Sequence, residues 1–288
     1  MEQKILSSQA IAEHFGQPAD AIVRLTDRHT LAVQRWLSTR APGAVIFREG
    51  GVTVTSSGLP VHLFNLILGG QFDAGDGVTV EQEVKAILAF FEQRQVPWTW
   101  WMGPQTRPPD LPERVERLGL TLRGRLPALA ARLPAPITPV PPGIHVWLAA
   151  DAADLQAASA IRHIAFRFPP GQALDYFQAC ADDWLNGGRP PHDARLYLAR
   201  VGDGPPAGIG ALIMGAGYPG VYIMATLPDW QRRGLGRAIM ARLMQDANAS
   251  SHDLAFLTAS RFGYPLYRRF SFEHVFSYRI YQNVKRET

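Results

Sequence analysis

The stretch 221–249 constrains the fold more than any other part of this 288-residue chain. It opens on an apolar run, Val221-Tyr222-Ile223-Met224-Ala225-Thr226-Leu227, broken by Pro228, Asp229 and Trp230. Gln231-Arg232-Arg233-Gly234-Leu235-Gly236 follows, and apolar residues then recur at Leu235, Ile239, Met240, Leu243, Met244 and Ala247. That spacing lines one face of a helix. The segment is predicted to form a strand, a tight loop and a helix, with glycines and arginines at the helix entrance.

Such an entrance suits a phosphate. The first turn of a helix leaves backbone N–H groups unpaired, and the helix dipole favours an anion there. Gly234 and Gly236 have no Cβ, so a pyrophosphate can approach the backbone, and Arg232, Arg233 and Arg237 add charge-assisted donors. Two other phosphate loops fit worse. A Walker loop needs Lys-Ser or Lys-Thr after its last glycine, whereas Arg237-Ala238 follows Gly236. A Rossmann fingerprint needs a third glycine near the start of a βαβ unit.

Composition narrows the class. The chain is 47% hydrophobic and 19% charged, enough apolar content for a core without staples. Its one cysteine, Cys180, excludes an internal disulfide and matches a reducing compartment; beside Phe177 and Ala181 it reads as a small buried thiol. No signal peptide and no run of about 18 apolar residues is present, so a cytoplasmic protein is expected. A net charge of +4 would help an anionic ligand but is too small and scattered to argue nucleic acid.

Taken in order, residues 1–40 read as helix, with Thr30, Leu31, Val33, Trp36 and Leu37 on a shared face and Ala41-Pro42-Gly43 as the stop. Residues 44–69 read as β: Val45-Ile46-Phe47, then Val52 to Thr55, then a buried strand from Val61 to Leu68. Gly69 to Gly77 is loop. Thr79 and Gln82 resemble a capping box opening a helix with Val84, Ile87, Leu88 and Phe91 inward. Trp98 and Trp100 share one face of the strand from Val96 to Met102 and are read as core, with Trp101 opposite. A helix at 111–118 and a strand from Leu120 close this half. Proline-rich 134–143 reads as a stiff linker and a domain boundary.

The second half reads as a strand at 144–148, helices at about 152–166 and 172–185, the first capped by Asp151, a strand at 196–201 and its hairpin partner at 207–214. After the central strand, loop and helix come a strand at 254–259, a short helix at 262–269 and β structure from Phe272 to Tyr281.

Q-R-R-G-L-G, placed directly after a strand and opening an amphipathic helix, resembles the acetyl-CoA loop Q/R-x-x-G-x-G/A of the GNAT acetyltransferase superfamily. Leu266-Tyr267-Arg268-Arg269-Phe270-Ser271-Phe272 resembles that family's L-Y-x-x-x-G-F ending, departing from it at Ser271. The resemblance implies a mixed α/β sheet, the GNAT acyl-CoA N-acyltransferase fold, in which the strands at 221–227 and 254–259 splay apart around acetyl-CoA. It implies acyl transfer from acetyl-CoA to a primary amine, with no metal. Met224, Ala225, Thr226, Gln231, Arg232, Arg233, Gly234, Leu235, Gly236 and Arg237 would hold the co-substrate, and Tyr267 would return a proton to the departing thiolate, a fair role for a phenol with a pKa near 10. Many relatives place a glutamate base on the central strand; here that strand offers only Tyr222 and Thr226, and His163, His192 and Asp183 are left unassigned.

The first half echoes the second in order, and Glu116-Arg117-Leu118-Gly119-Leu120 echoes Arg268 to Phe272, but residues 69–77 lack the arginines. The resemblance thus extends to two tandem GNAT-like domains: a helical segment at 1–40, a degenerate repeat at 41–133, the linker at 134–143 and a catalytic domain at 144–288. The partners expected are a small-molecule or peptide amine, no nucleic acid and no membrane, with a homodimer left open. Two alternatives stand beside acetyl transfer: a non-catalytic acyl-CoA-binding sensor, suggested by the missing carboxylate, and an acyltransferase for a longer acyl-CoA.

Overall fold

The computed structural model describes residues 4–41, 43–49, 51–72, 77–171, 175–185 and 194–283. Helices α1 (Ser8–Phe15) and α2 (Ala19–Thr39) lead into β1 (Val45–Glu49), β2 (Val52–Ser56), β3 (Asn65–Gly69), α3 (Gly77–Arg94), β4 (Thr99–Met102), α4 (Leu111–Arg117) and the long β5 (Leu120–Arg132). The second half runs β6 (Ile144–Leu148), α5 (Ala152–Phe166), α6 (Tyr176–Ala179), α7 (Ala181–Leu185), β7 (Ala194–Val201), β8 (Gly208–Gly215), β9 (Tyr218–Thr226), α8 (Leu235–Asn248), β10 (Leu254–Thr258), α9 (Tyr264–Arg268) and β11 (Glu273–Asn283).

Internal contacts divide the chain into two compact units. One holds Met1–Val33 and Pro127–Val275, the other Gln34–Leu126 and Phe276–Thr288. The chain therefore changes unit inside α2, inside β5 and inside β11. The boundaries expected at 41, 133 and 143 follow chain order; the packing groups the residues otherwise.

In the first unit β6, β7, β8 and β9 are antiparallel neighbours, β10 lies parallel to β9, and the end of β5 closes on β10 antiparallel, from Leu254 opposite Arg132 to Thr258 opposite Ala128. Helix α8 covers one face. Leu235, Ile239, Met240, Leu243, Met244 and Ala247 are all buried there, the face that the 3.6-residue period marks out. The proline-rich stretch belongs to this unit: Leu133 and Ala135 sit in its core, and Ala135 exchanges two hydrogen bonds of 2.8 Å with the Asn248 side chain at the end of α8. Asp151 caps α5 as expected, its carboxylate accepting from the Asp154 N–H at 2.9 Å.

The second unit repeats the arrangement. β1, β2 and β3 are antiparallel, β4 is parallel to β3, and β11 closes on β4 antiparallel. Each half of the sequence thus has its last strand paired in the other unit. Trp98 and Trp100 enter this unit's core with Phe91, Ile87 and Val84, whereas Trp101 faces Tyr278 at 5.6 Å, as the two-residue period of a strand requires. β3 and β4 stay paired at three successive positions, and the Trp100 indole donates to the Gly69 carbonyl at 2.7 Å.

Four elements differ from the sequence expectation. The helix over 1–40 is two helices, because Gly16 takes a left-handed conformation (φ 66°) that ends α1. The strand from Val61 to Leu68 starts only at Asn65. Its first half is a 3-10 turn at His62–Phe64, stabilised by the Asn65 amide, which donates to the carbonyls of Leu59, Val61 and Pro97. The helix expected at 172–185 is, over its described residues 175–185, two short pieces parted at Cys180, and residues 172–174 lie outside the described part. Finally, α3 begins at Gly77, ahead of the expected capping box; the Thr79 side chain and residues 73–76 lie outside the described part.

Candidate functional site

β9 and β10 pair only at Gly220 with Phe256 and Val221 with Leu257. From Tyr222 to Thr226, β9 has no strand partner on that edge among the described residues, although β8 stays hydrogen-bonded to its other edge as far as Thr226. The expected gap between these strands is therefore present. β9 is bent at the same place. Its register against β8 slips between Ala211–Tyr222 and Ile209–Ala225, so two residues oppose one, and Ile223 sits at φ 54°. That is a β-bulge with a β-branched residue in left-handed conformation, strained by about 1–2 kcal/mol. Gly210 stands opposite. A Cβ there would lie 2.5 Å from both Met224 Sδ and Ile239 Cγ2, so the bulge requires a glycine on the facing strand. Met224, Ala225 and Thr226 follow directly after the bend, along the open edge.

The loop comes next. Pro228–Trp230 makes one 3-10 turn, and Arg232 (φ 62°) and Gly234 (φ 90°) are left-handed. Gly234 is the N-cap of α8 and contributes no side-chain cap. The first bond of the helix runs from the Ala238 N–H to the Gly234 carbonyl, which leaves the Leu235, Gly236 and Arg237 amides as its unpaired donors. Gln231, Arg232, Arg233 and Arg237 are exposed, and the Arg233 guanidinium lies 5.0 Å from the Trp230 ring centre. Leu235 differs from its neighbours: its side chain is core, so only its backbone faces the loop. Both glycines are in tight company, with Ile144 Cδ1 3.0 Å from a Cβ at Gly234 and Leu266 Cδ2 3.4 Å from one at Gly236.

That last contact joins the loop to α9. Leu266 touches the start of α8, and Tyr267 is the next residue, packed in the same core with Val221, Leu257 and Phe272. Thus the loop, the gap and the tyrosine, far apart in sequence, meet in one unit. Burial pushes the Tyr267 phenol well above its ordinary value, so the hydroxyl holds its proton. Ser271, where the family pattern has glycine, adopts the left-handed conformation that glycine favours (φ 62°). The turn survives the substitution. Arg268 steadies it, pairing with Glu273 and donating to the Phe272 carbonyl at 2.7 Å.

No carboxylate lies on β9. An imidazole bonded to this strand comes from α2 and was not singled out in the sequence. His29 is fully buried, with Nε2 3.2 Å from the Tyr218 carbonyl and Nδ1 3.1 Å from the Tyr222 hydroxyl. The carbonyl can only accept, so Nε2 carries the proton and Nδ1 accepts from Tyr222. Desolvation lowers the His29 pKa to about 3 and raises that of Tyr222, leaving both neutral. His163 packs edge-on to Phe168 at 6.4 Å, and His192 lies outside the described residues. Cys180 is buried, donating to the Tyr176 carbonyl and accepting from the Trp184 indole, in keeping with its reading as a core thiol. Among the described residues no group of three or more His, Cys, Asp or Glu side chains could hold a metal ion, and no helix is long and apolar enough to cross a membrane.

Sequence legibility was uneven here. Gly208-Ile209-Gly210 was a usable signal, since glycine inside a strand marks a bulge or close approach. Nothing in the sequence marked Ile223 or tied His29 to Tyr222.

Comparison with known proteins bears on this geometry. Residues 192–274 match the family model described as the acetyltransferase (GNAT) domain. No curated protein matches the chain. Among solved structures, the chain is similar to a GCN5-related N-acetyltransferase from Kribbella flavida, with a TM-score of 0.65 at 20% identity over 91% of this chain and 95% of that one. It is similar to a GCN5-related N-acetyltransferase from Sphaerobacter thermophilus, with a TM-score of 0.61 at 16% identity over 92% and 91%. A tandem GNAT protein from the clavulanic acid biosynthesis pathway gives 0.61 at 13% identity over 96% and 97%. At these identities the structures speak for the fold. Together with the match over residues 192–274, they make the fold a GNAT fold.

Proposed function

We propose that the chain is an N-acetyltransferase that moves an acetyl group from acetyl-CoA to a primary amine on a small molecule or peptide. The observation that supports this best is the meeting of three parts in one unit: unpaired amides at the start of α8, an open edge of β9, and a protonated, buried tyrosine one residue from the helix contact. The donor set fits the co-substrate. A pyrophosphate needs N–H groups, positive charge and no Cβ in the way, and the loop offers the Leu235, Gly236 and Arg237 amides, exposed Arg232, Arg233 and Arg237, and two glycines.

Acetyl-CoA supplies an activated acyl group on a thiol leaving group. The chain's own residues do the rest. The open edge of β9 near Met224 to Thr226 directs backbone N–H groups at the acyl carbonyl and steadies the charge that grows on its oxygen. Tyr267, kept neutral by burial, donates its proton to the departing sulfur. Since β9 has no carboxylate and His29 is neutral and bonded at both nitrogens, the amine arrives neutral or loses its proton to water. Direct attack needs no covalent enzyme step, which agrees with Cys180 being buried and bonded within α6 and α7.

The missing carboxylate favours a second reading, a domain that binds an acyl-CoA without turning it over; a donor series of increasing acyl length covers the third. One experiment separates the first two. Acetyl-CoA binding is measured by calorimetry for the wild type and for Gly236→Glu, which puts a negative side chain where the pyrophosphate should lie, and CoA-thiol release is followed over a panel of amines with Tyr267→Phe beside the wild type. Micromolar binding lost in Gly236→Glu, with turnover reduced roughly 10²-fold or more in Tyr267→Phe, is the result expected. Binding without turnover on any amine would establish the sensor, and no binding to the wild type would remove both.

A further inference from the structure

Gly263 has an ordinary helical backbone conformation, φ −79° and ψ −26°, which any residue can adopt. Backbone geometry therefore gives no reason for glycine at this position, but space does. A Cβ at 263 would stand 2.9 Å from Cε2 of Tyr267, 3.3 Å from its Cζ and 3.3 Å from its Oη. The three nearest atoms all belong to the hydroxyl-bearing end of one ring. Helix stereochemistry explains this: side chains lean toward the N-terminus and cover the residue four back, and Tyr267 follows Gly263 by four.

Neither side can yield easily. The Gly263 N–H donates to Ser260 Oγ at 3.1 Å, the Tyr264 N–H to the Ser260 carbonyl at 3.0 Å, and the Tyr267 N–H to the Gly263 carbonyl at 3.2 Å. These bonds hold the backbone under the ring. The ring itself is buried, with the fully buried Phe272 edge-on at 6.5 Å. A methyl group at 263 would shift the phenol rather than the chain.

We propose that Gly263 is a positioning residue whose bare Cα seats the Tyr267 hydroxyl where the proton is delivered. This rests on Tyr267 being the proton donor of the reading above. Relieving the 2.9 Å approach to ordinary contact at 3.4 Å moves the ring by about half an ångström, and since a full ångström of misplacement at a reacting group costs on the order of 10²-fold in rate, a shift of this size is enough to read.

The test is a double-mutant cycle of wild type, Gly263→Ala, Tyr267→Phe and the double variant. It reads CoA-thiol release from acetyl-CoA, with water and with a panel of primary amines as acceptors, together with the melting temperature. Gly263→Ala should lower kcat roughly ten- to hundredfold while the KM for acetyl-CoA stays within about twofold. Added to Tyr267→Phe, the same change should alter kcat by less than about twofold, because no hydroxyl is left to misplace. An equal loss in both backgrounds, or wild-type turnover in Gly263→Ala, overturns the seat while Tyr267 keeps its role. Unchanged turnover in Tyr267→Phe removes proton donor and seat together. Should Gly263→Ala fail to fold, Gly263→Ala with Tyr267→Leu, whose side chain is too short to reach residue 263, should restore a soluble, cooperatively melting protein; failure of that variant also overturns the contact.

Discussion

Burial acts on Tyr267 and His29 alike by disfavouring charge, and in both the outcome is a neutral side chain. For Tyr267 that neutrality keeps the proton on the donor proposed above. For His29 it creates a pH liability. The His29 pKa is about 3 in the folded chain against 6.5 for a free imidazole. Below pH 6.5 the unfolded chain takes up a proton that the folded chain refuses, so stability falls as pH drops from 6.5 toward 3, by up to about 1.4 kcal/mol per pH unit from this one group. Urea midpoints at pH 7.5, 5.5 and 4.5 check it: His29→Gln, neutral throughout, should lose less stability over that range than the wild type. Parallel curves for the two proteins would mean that His29 titrates normally in the fold.

Among the elements, β9 carries the most constraint. It is a central strand with β8 on one side, an open edge on the other and a bulge where the edge opens. The left-handed Ile223 persists because the strand is held on both sides of it, at Tyr222 and Ala225. Gly210 is the counterpart that makes room. Gly210→Ala would drive a methyl into Met224 and Ile239, and overpacking of this kind costs about 1–3 kcal/mol. A lower urea midpoint together with weaker acetyl-CoA binding is expected, since Met224 lies on the stretch proposed to face the acyl group. A stable Gly210→Ala that binds acetyl-CoA normally would show that the bulge does not depend on that glycine. The matching element of the other unit is built differently. There β3 and β4 stay paired at three successive positions, and the Trp100 indole is bonded to the Gly69 carbonyl across them.

For the whole molecule, the consequence is that neither half of the sequence owns a complete sheet. The first unit needs β5 beside β10, and it needs α2, which brings His29 and Thr26 into its buried interior. A fragment of residues 144–288, cut where the proline-rich stretch suggests a boundary, would lose β5, the buried Leu129, Ala131, Leu133 and Ala135, and α2. It should show no cooperative urea transition and no acetyl-CoA binding by calorimetry, whereas the full chain should show both. A fragment that melts cooperatively and binds acetyl-CoA would make the last two strands interchangeable.

What the sequence by itself determined was local in origin. The period of α8, the loop of arginines and glycines before it, the capping of α5 by Asp151, the order of elements and the spacing of Tyr267 all depend on neighbours within about ten residues, and side-chain periodicity or turn chemistry reports those directly. The tertiary structure alone decided the rest: that Ile223 turns left-handed because Gly210 gives way, that His29 is bonded to Tyr222 across 193 positions, and that the last strand of each half completes the other's sheet. Those outcomes depend on which residues face one another across the sheet. Strand pairing at long range is settled by packing and hydrogen-bond satisfaction over the whole fold, and no short window of sequence encodes it.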